Sequence, residues 1–181
     1  MSIVKKAGDR GKTDLFAGRP VSKDNIRIEI CGSLDELCSF LGLARSLVRN
    51  RKTTGILEGI QRDLFTIGSE VATEARHLGK LKVRIGKTHI RRLEEHIGRM
   101  EHKRSRNECC FYLPGGSISA AILDVARTVA RRVERRVVTF DRRGSLRNPE
   151  VLVYLNRLSD LLFILAQRLE KRPKKHVSDK T

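Results

Sequence analysis

Apolar residues recur every three or four positions through most of this chain, which is the spacing of amphipathic helices. In the first periodic segment Ser33 and Glu36 form a capping box, and leucines follow at positions 34, 37 and 41. All four prolines fall between periodic segments, as uninterrupted helices require. The pattern predicts five helices, which start near Ser33, Thr54 and Thr88, after Gly116, and at Asn148 with Pro149 in the first helical position.

The N-terminal segment differs from the rest of the chain. Residues 1–30 lack the helical period and contain Gly8, Gly11 and Gly18, which predicts a loop that is ordered by itself or by a ligand. No convincing alternation typical of strands occurs anywhere. The last helix is apolar on nearly every side and should be central. We therefore predict an all-α, up-and-down five-helix bundle over residues 31–170, with residues 1–30 in the same domain and residues 171–181 as a disordered basic tail.

Composition narrows the class of protein and its partners. The 181 residues suffice for one domain with a core, and the net charge of +17 favours polyanions such as nucleotides, nucleic acid or an anionic membrane. No run of 18 apolar residues and no signal peptide occurs, so a cytoplasmic location without membrane association is predicted. The four cysteines and the pair His89 and His96 lack the spacing of a metal site, and none is predicted.

The most informative segment is the arginine-rich run at residues 125–136. Arg127 and Arg131 lie one helical turn apart, and Glu134 follows Arg131 by three residues, so all three project from one stripe. Guanidinium groups present a fixed fork of donors that suits phosphate oxygens. A solvated basic face is the alternative. The core-facing side of this helix is predicted to consist of Ile118, Ile122, Val125, Val129 and Val133.

Three other groups of polar residues are candidates for binding. The loop of residues 8–13 resembles the end of a phosphate-binding P-loop, but Lys6 replaces the first glycine of that pattern. Backbone N–H groups of such a loop can still bind phosphate. Asn156 is a candidate ligand contact, whereas Arg157 and Asp160 are predicted to form a structural pair. For Asp35, stabilisation by the helix dipole is a sufficient explanation.

Six stretches in the same order resemble the PduO-type ATP:cob(I)alamin adenosyltransferases over about residues 4–169. They are residues 6–13, 21–24, 32–37, 111–116, 125–136 and 154–160. The resemblance implies a five-helix bundle that assembles as a homotrimer with active sites between subunits. It implies transfer of the 5′-deoxyadenosyl group of ATP, with Mg²⁺, to the cobalt of cob(I)alamin or another reduced corrinoid. A reductase or a cobalamin-dependent enzyme is a further partner that it allows.

The same resemblance implies roles for individual residues. Asp35 and Arg127 would pair across the subunit boundary, Arg131 would stabilise the leaving triphosphate, and Phe111 would lie against the corrin ring. The loop would bind ATP together with the arginine helix of the neighbouring subunit. The implied nucleotide-binding residues are Lys6, Gly8, Asp9, Gly11, Thr13, Lys23, Arg131, Arg132, Glu134, Arg135 and Asn156.

Three positions depart from the family pattern. Lys5 stands where threonine is usual, Ala7 where threonine or asparagine is usual, and Asp124 where histidine is usual. Asp124 lies three residues before Arg127, so it could compete with Asp35 for this arginine. Two alternatives stay open: a homologue that binds corrinoid or nucleotide without turnover, and a nucleic-acid-binding helical protein. The second is disfavoured because aromatic residues are scarce and no known nucleic-acid-binding module is readable.

Overall fold

The computed structural model describes residues 6–16, 19–102 and 113–170. Within these ranges the main elements are five α-helices, and the prediction of an all-α five-helix bundle is confirmed. The helices are α1 (Ile26–Leu47), α2 (Arg51–Ala72), α3 (Lys87–Glu101), α4 (Ile118–Arg142) and α5 (Glu150–Leu169). None of the helices in these ranges combines the length and the apolar character needed to cross a bilayer.

A small antiparallel hairpin precedes the bundle and was not predicted. It consists of β1 (Lys12–Asp14) and β2 (Pro20–Ser22), with Thr13 opposite Val21. A 3₁₀ helix (Ala7–Arg10) comes before β1, and a second one (Ala75–Lys80) lies between α2 and α3. Strands of three residues are too short to show a period of two in the sequence, so only the pairing reveals them.

The predicted helix starts were displaced toward the C-terminus. The first helix begins at Ile26, because the Asn25 side chain accepts a hydrogen bond from Arg27 N at 3.0 Å. Ser33 is therefore not a cap. It is buried in the third turn of α1, and its hydroxyl donates to Glu29 O at 2.7 Å. Asn50 caps α2, which begins at Arg51 rather than near Thr54, and Gly86 precedes α3 in place of Thr88.

At the start of α5 the prediction was nearly right. The side chain of Asn148 accepts a hydrogen bond from Glu150 N at 3.2 Å, as a capping residue does. The helix itself begins at Glu150, one residue after Pro149. Ordinary scatter at helix ends accounts for such a difference.

The core lies between α5 and the helices around it. Tyr154, Leu155, Leu158, Leu161 and Leu162 of α5 are fully buried, which confirms that this helix is central. It packs mainly against α4 and α3, while α1 packs against α4 and α2. The burial of so many aliphatic side chains is the main stabilising contribution to the fold, at about 1.5–3 kcal/mol for each large one.

The core-facing side of α4 was only partly predicted. Val129 and Val133 are buried, but Ile118 is 72% exposed and Val125 is 41% exposed. The buried face instead carries small residues, among them Ala120, Ala126 and Ala130, beside Leu123 and Val137. These alanines let α1 and α5 approach α4 closely. The prediction assigned the isoleucines and valines to the core and overlooked the alanines, so the predicted buried face was turned away from the observed one.

Two buried carboxylates connect helices to one another. Asp63 on α2 accepts a hydrogen bond from the Tyr154 hydroxyl at 2.7 Å and pairs with Arg92 on α3. Glu70 on α2 accepts from Ile85 N at 2.6 Å and from the Asn148 amide at 2.8 Å. Each carboxylate is thus satisfied by donors from two other parts of the chain, as buried charges require.

Candidate functional site

The N-terminal loop folds into a compact turn stabilised by its own backbone. Lys6 and Gly11 flank the first 3₁₀ helix with positive φ angles of 53° and 73°. Asp9 N donates to Lys6 O, and Lys23 N donates to Gly11 O at 2.9 Å. A Cβ atom at Gly8 would lie 3.1 Å from the ammonium nitrogen of Lys23. Glycine at this position thus lets the Lys23 ammonium group lie against the loop backbone.

A cleft of about 470 Å³ separates this loop from α1. Thr13 of β1 and Lys23, directly after β2, line one side, and Gly32 and Ser33 of α1 line the other. Gly32 is exposed, and a Cβ atom there would meet no atom within 4 Å among the described residues. The helix therefore presents bare backbone to the cleft at this turn. The other lining residues are Ile28, Glu29, Glu36 and Arg136.

Two arginines of α4 are directed toward α1 and its cleft. Arg136 pairs with the Glu29 carboxylate at 2.9 Å and donates to the Ser33 hydroxyl. Arg132 pairs with Glu36. The two carboxylates that line the cleft are therefore neutralised by α4. Arg132 was predicted to bind nucleotide, and in this structure its side chain pairs with Glu36 on a different helix face from Arg131.

The remaining arginines of α4 lie on a different face. Arg131 and Arg135 are exposed, and their side chains make no hydrogen bond or ion pair with any described residue. Arg127, one turn before Arg131, is half-buried and donates through Nε to Asp124 at 3.2 Å. Its guanidinium also lies 5.9 Å from the ring centre of Phe163 on α5. This face thus carries one guanidinium that is fixed in place beside two that form no hydrogen bond or ion pair in the described ranges.

Glu134 and Asn156 meet beside these arginines. The Asn156 amide donates to Glu134 Oε1 at 3.2 Å and accepts from Arg157 at 3.0 Å. Arg157 also pairs with Asp160 at 3.2 Å and with Glu94 on α3 at 3.3 Å. The predicted pair of Arg157 and Asp160 is thus present. It lies at the surface, because the helix turns Asn156 and Asp160 outward.

Asp35 is exposed on a third face, beside an apolar groove between α1 and α2. The groove has a volume of about 180 Å³ and is lined by Cys31, Leu34, Cys38, Leu64, Phe65 and Gly68. Phe65 is 68% exposed at its edge. Burial, and to a lesser degree the charge of Asp35, raise the pKa of the Cys31 thiol to about 11. Both cysteines of the groove are free thiols.

Within one chain the predicted residues form two separate sets. No hydrogen bond or ion pair in the described ranges joins the loop residues Lys6, Gly8, Thr13 and Lys23 to Arg131, Glu134, Arg135 or Asn156. Phe111 and Lys5 lie outside the described residues, and so does the side chain of Ala7. Among the described residues no three of His, Cys, Asp and Glu form a group that could bind a metal ion.

Comparison with known proteins decides which family this arrangement represents. The cobalamin adenosyltransferase family matches residues 3–169. A corrinoid adenosyltransferase of Citrobacter freundii is 40% identical over 177 residues, which cover 94% of this chain and 96% of that protein. One of Bacillus subtilis is 36% identical over 178 residues, which cover 95% of this chain and 88% of that protein.

The chain belongs to the cobalamin adenosyltransferase family. The resemblance predicted from the six sequence stretches is therefore confirmed.

Solved structures support this assignment. The fold is similar to a variant of the PduO-type ATP:corrinoid adenosyltransferase from Lactobacillus reuteri complexed with cobalamin and ATP. The TM-score is 0.88 at 32% identity, over 98% of this chain and 100% of that one. A second variant from that organism, complexed with ATP, gives a TM-score of 0.83 at 34% identity, over 92% of this chain and 93% of that one.

Sequence reasoning missed several residues of this cobalamin adenosyltransferase family member. Arg136 was missed although it lies one turn after Arg132, because its partners Glu29 and Ser33 are more than 100 residues away. Phe163, beneath Arg127, appeared only as an apolar position of the last helix. The exposed turn of α1 at Gly32 was noticed as part of a motif but not as the wall of a cleft. Gly32 precedes the predicted helix start at Ser33, so only the observed start of α1 at Ile26 places this glycine on a helix face.

Proposed function

We propose that this protein transfers the 5′-deoxyadenosyl group of ATP to the cobalt of a reduced corrinoid such as cob(I)alamin. The cobalt electron pair forms the bond to C5′, the bond from C5′ to the phosphate oxygen breaks, and triphosphate leaves with those electrons. The observation that carries the proposal is the face of α4 on which Arg131 and Arg135, without an ion pair to any described residue, lie beside Glu134 and Asn156. No protein nucleophile is needed, because cobalt supplies the attacking electrons.

The residues fit the demands of a polyphosphate leaving group. Negative charge develops on the triphosphate, and guanidinium groups that bind it stabilise this charge electrostatically. We assign this role to Arg131, with Arg135, Glu134 and Asn156 positioning the nucleoside. Lys6 and Lys23, with loop backbone around Gly8, Asp9 and Gly11 and the Thr13 hydroxyl, would bind the phosphates from the other side.

We further propose that the active site forms between subunits of a homotrimer. Support comes from the separation of the loop residues and the α4 residues within one chain. Large apolar side chains are also exposed on several helices, which is typical of surfaces that a partner covers. They include Leu43, Leu47, Phe65, Ile118 and Val125. In this assembly Asp35 would pair with Arg127 of the partner subunit, and Arg132 stays a predicted nucleotide contact.

The corrinoid and the magnesium ion make different demands. Mg²⁺ is commonly bound through substrate phosphates, waters and one or two carboxylates, so the lack of a three-residue cluster in the described ranges is compatible with its arrival bound to ATP. Phe111 is proposed to lie against the corrin ring, where an apolar surface would exclude a lower ligand of cobalt. A cytoplasmic location stays a prediction from the sequence, which shows neither a signal peptide nor a long apolar run. A partner reductase or cobalamin-dependent enzyme is a prediction that the family resemblance allows.

Turnover by the purified protein is the direct test. We expect the absorption spectrum of chemically reduced cobalamin, incubated with ATP and Mg²⁺, to change to that of adenosylcobalamin. Arg131→Ala should reduce kcat by about 100-fold or more, the size typical for loss of one group that stabilises transition-state charge. Arg91→Ala is the matched control, because Arg91 is also an exposed helical arginine without a described partner, on α3. Equal activity of Arg131→Ala and wild type would contradict the assigned role.

The departures at Lys5, Ala7 and Asp124 favour one second candidate, a homologue that binds corrinoid or ATP without turnover. It predicts saturable binding of cobalamin or ATP and no adenosylcobalamin at any protein concentration. The same assay, run beside equilibrium binding, separates the two functions.

A further inference from the structure

We propose that Asp124 is a positioning residue that holds Arg127 in the orientation needed to pair with the partner subunit's Asp35. The inference rests on the proposed function, because it assumes the assembly in which Asp35 and Arg127 meet. It reverses the expectation that Asp124 competes with Asp35 for this arginine.

The geometry of the pair is the first observation. Asp124 is 5% exposed within α4, and its Oδ1 accepts from Nε of Arg127 at 3.2 Å. Nε is the inner nitrogen of the guanidinium group. A carboxylate bound there occupies one edge of the fork and leaves the two terminal nitrogens for other acceptors. Asp124 therefore uses the donor of Arg127 that a residue on another subunit could least easily reach.

The surroundings of the guanidinium are the second observation. Its central carbon, Cζ, lies 5.9 Å from the ring centre of Phe163, so α5 packs against it from one side. Within the described ranges its terminal nitrogens make no hydrogen bond. The Arg127 side chain is 27% exposed, and that of Asp124 is 7% exposed. The group is thus fixed at its inner edge and reaches the surface at its outer edge.

Charge is the third observation. A buried carboxylate is costly unless a cation compensates it, so Asp124 and Arg127 stabilise one another. Arg127 has five N–H donors and can bind a second carboxylate while it keeps the first. The exposed Asp35 has no ion pair of its own among the described residues. A single guanidinium between two carboxylates therefore fits the chemistry of all three residues.

The consequence is a chain of three charges across the subunit boundary. Fixing the rotamer of a long side chain in advance lowers the entropy lost when the partner binds. Histidine, the residue that the family usually has here, would not supply a negative charge to Arg127. This protein would therefore begin assembly with the arginine already ordered.

The test is a double-mutant cycle between Asp124→Asn and Asp35→Asn. The trimer dissociation constant is measured by sedimentation over a range of protein concentrations, and the KM for cobalamin is measured beside kcat. We expect each single substitution to weaken association or raise this KM by about tenfold, with the double variant clearly below the hundredfold product, as for residues in one network. Thermal melting confirms that each variant is folded.

Other outcomes refute the inference. Additive effects would mean that Asp124 acts independently of Asp35, and tighter association of Asp124→Asn would mean that it competes. Arg127→Lys provides a second route that leaves the buried carboxylate in place. Lysine is a point charge that lacks the planar fork. In the Arg127→Lys background, the coupling between Asp124 and Asp35 should therefore disappear. If the coupling persists in Arg127→Lys, the bridging geometry is wrong.

Failure of the proposed function is distinguishable. If the double-mutant cycle shows coupling in sedimentation but the wild-type protein forms no adenosylcobalamin, catalysis is refuted and the role of Asp124 is left intact. Normal turnover with additive effects would refute the role of Asp124 alone.

Discussion

The amide of Asn156 on α5 donates to the carboxylate of Glu134 on α4 at 3.2 Å, which links the last helix to the arginine-bearing one. The carbonyl oxygen of the same amide accepts from Arg157 at 3.0 Å. Because Glu134 only accepts and Arg157 only donates, the orientation of the amide is determined by its neighbours. Asparagine is thus the side chain that satisfies both at once.

Asn156→Asp should therefore impair ATP use more than Asn156→Ala. The aspartate places a second carboxylate against Glu134, and the repulsion displaces the residues proposed to position the nucleoside. We expect kcat/KM for ATP to fall by at least about tenfold, equivalent to about 1.4 kcal/mol. Adding Glu134→Gln to Asn156→Asp restores a donor and an acceptor and should recover part of the loss. Wild-type kinetics in Asn156→Asp would contradict this arrangement.

Gly32→Ala should stabilise the protein and weaken ATP binding. An interior helical glycine costs about 1 kcal/mol relative to alanine, so the free energy of unfolding should rise by about that amount. The added methyl group projects into the cleft lined by Thr13 and Lys23, so the Kd for ATP should rise by about tenfold, or 1.4 kcal/mol.

Gly55→Ala is the matched control for this experiment. Gly55 is an exposed glycine of α2 with open space around its Cβ position among the described residues, and it does not line the cleft. Both variants should gain similar stability in urea unfolding, and only Gly32→Ala should lose ATP affinity in calorimetry. Equal ATP affinities of the two would show that the cleft is not occupied by ATP.

Tyr154→Phe should destabilise the bundle without changing the active site. Burial, and the negative charge of Asp63 beside it, raise the pKa of the Tyr154 hydroxyl well above its ordinary value, so it stays protonated and donates at 2.7 Å. Its removal leaves the buried Asp63 with Arg92 as its remaining described side-chain partner. We expect a loss of about 1–2 kcal/mol in urea unfolding at fixed protein concentration. An unchanged midpoint would mean that the hydrogen bond contributes little.

The thiol of Cys31 should titrate at unusually high pH. Burial, then the charge of Asp35, raise its pKa to about 11, while Arg27 acts in the opposite direction. Because only the thiolate reacts, alkylation of folded Cys31 should accelerate by about tenfold from pH 9 to 10. In urea the same cysteine should change by less than about twofold, since an ordinary thiol is mostly ionised there. Peptide mass spectrometry distinguishes Cys31 from the other cysteines. Similar pH profiles in both states would contradict the burial.

The raised pKa of Cys31 also makes the free energy of unfolding depend on pH. The folded state binds this proton more tightly than the unfolded state, so the contribution to stability is present below the ordinary thiol pKa. It is lost as the pH rises toward about 11. Cys31→Ser is the matched variant for separating this loss from general alkaline unfolding.

The sequence by itself determined the helical bundle and the family. Periodic leucines in α1 and α5 specify which sides are buried, because a helix repeats its faces every 3.6 residues or so whatever it packs against. The ordered motifs around Asp35, Arg131 and Asn156 were equally readable, since their residues are close together in the chain. Helix starts were less certain, because Asn25 and Asn50 compete with other residues that can also cap.

Only the tertiary structure decided how the arginines of α4 are divided. Arg132 and Arg136 face α1, while Arg131 and Arg135 have no ion pair within the described part of the chain. Adjacent residues differ in this way because each step turns the helix by about 100°. Which face meets another helix depends on packing between segments up to 107 residues apart, as for Arg136 and Glu29. Such contacts leave no local pattern in the chain. The spacing of Asp124 and Arg127 could be read from the sequence, but the position of Phe163 of α5 beside Arg127 could not.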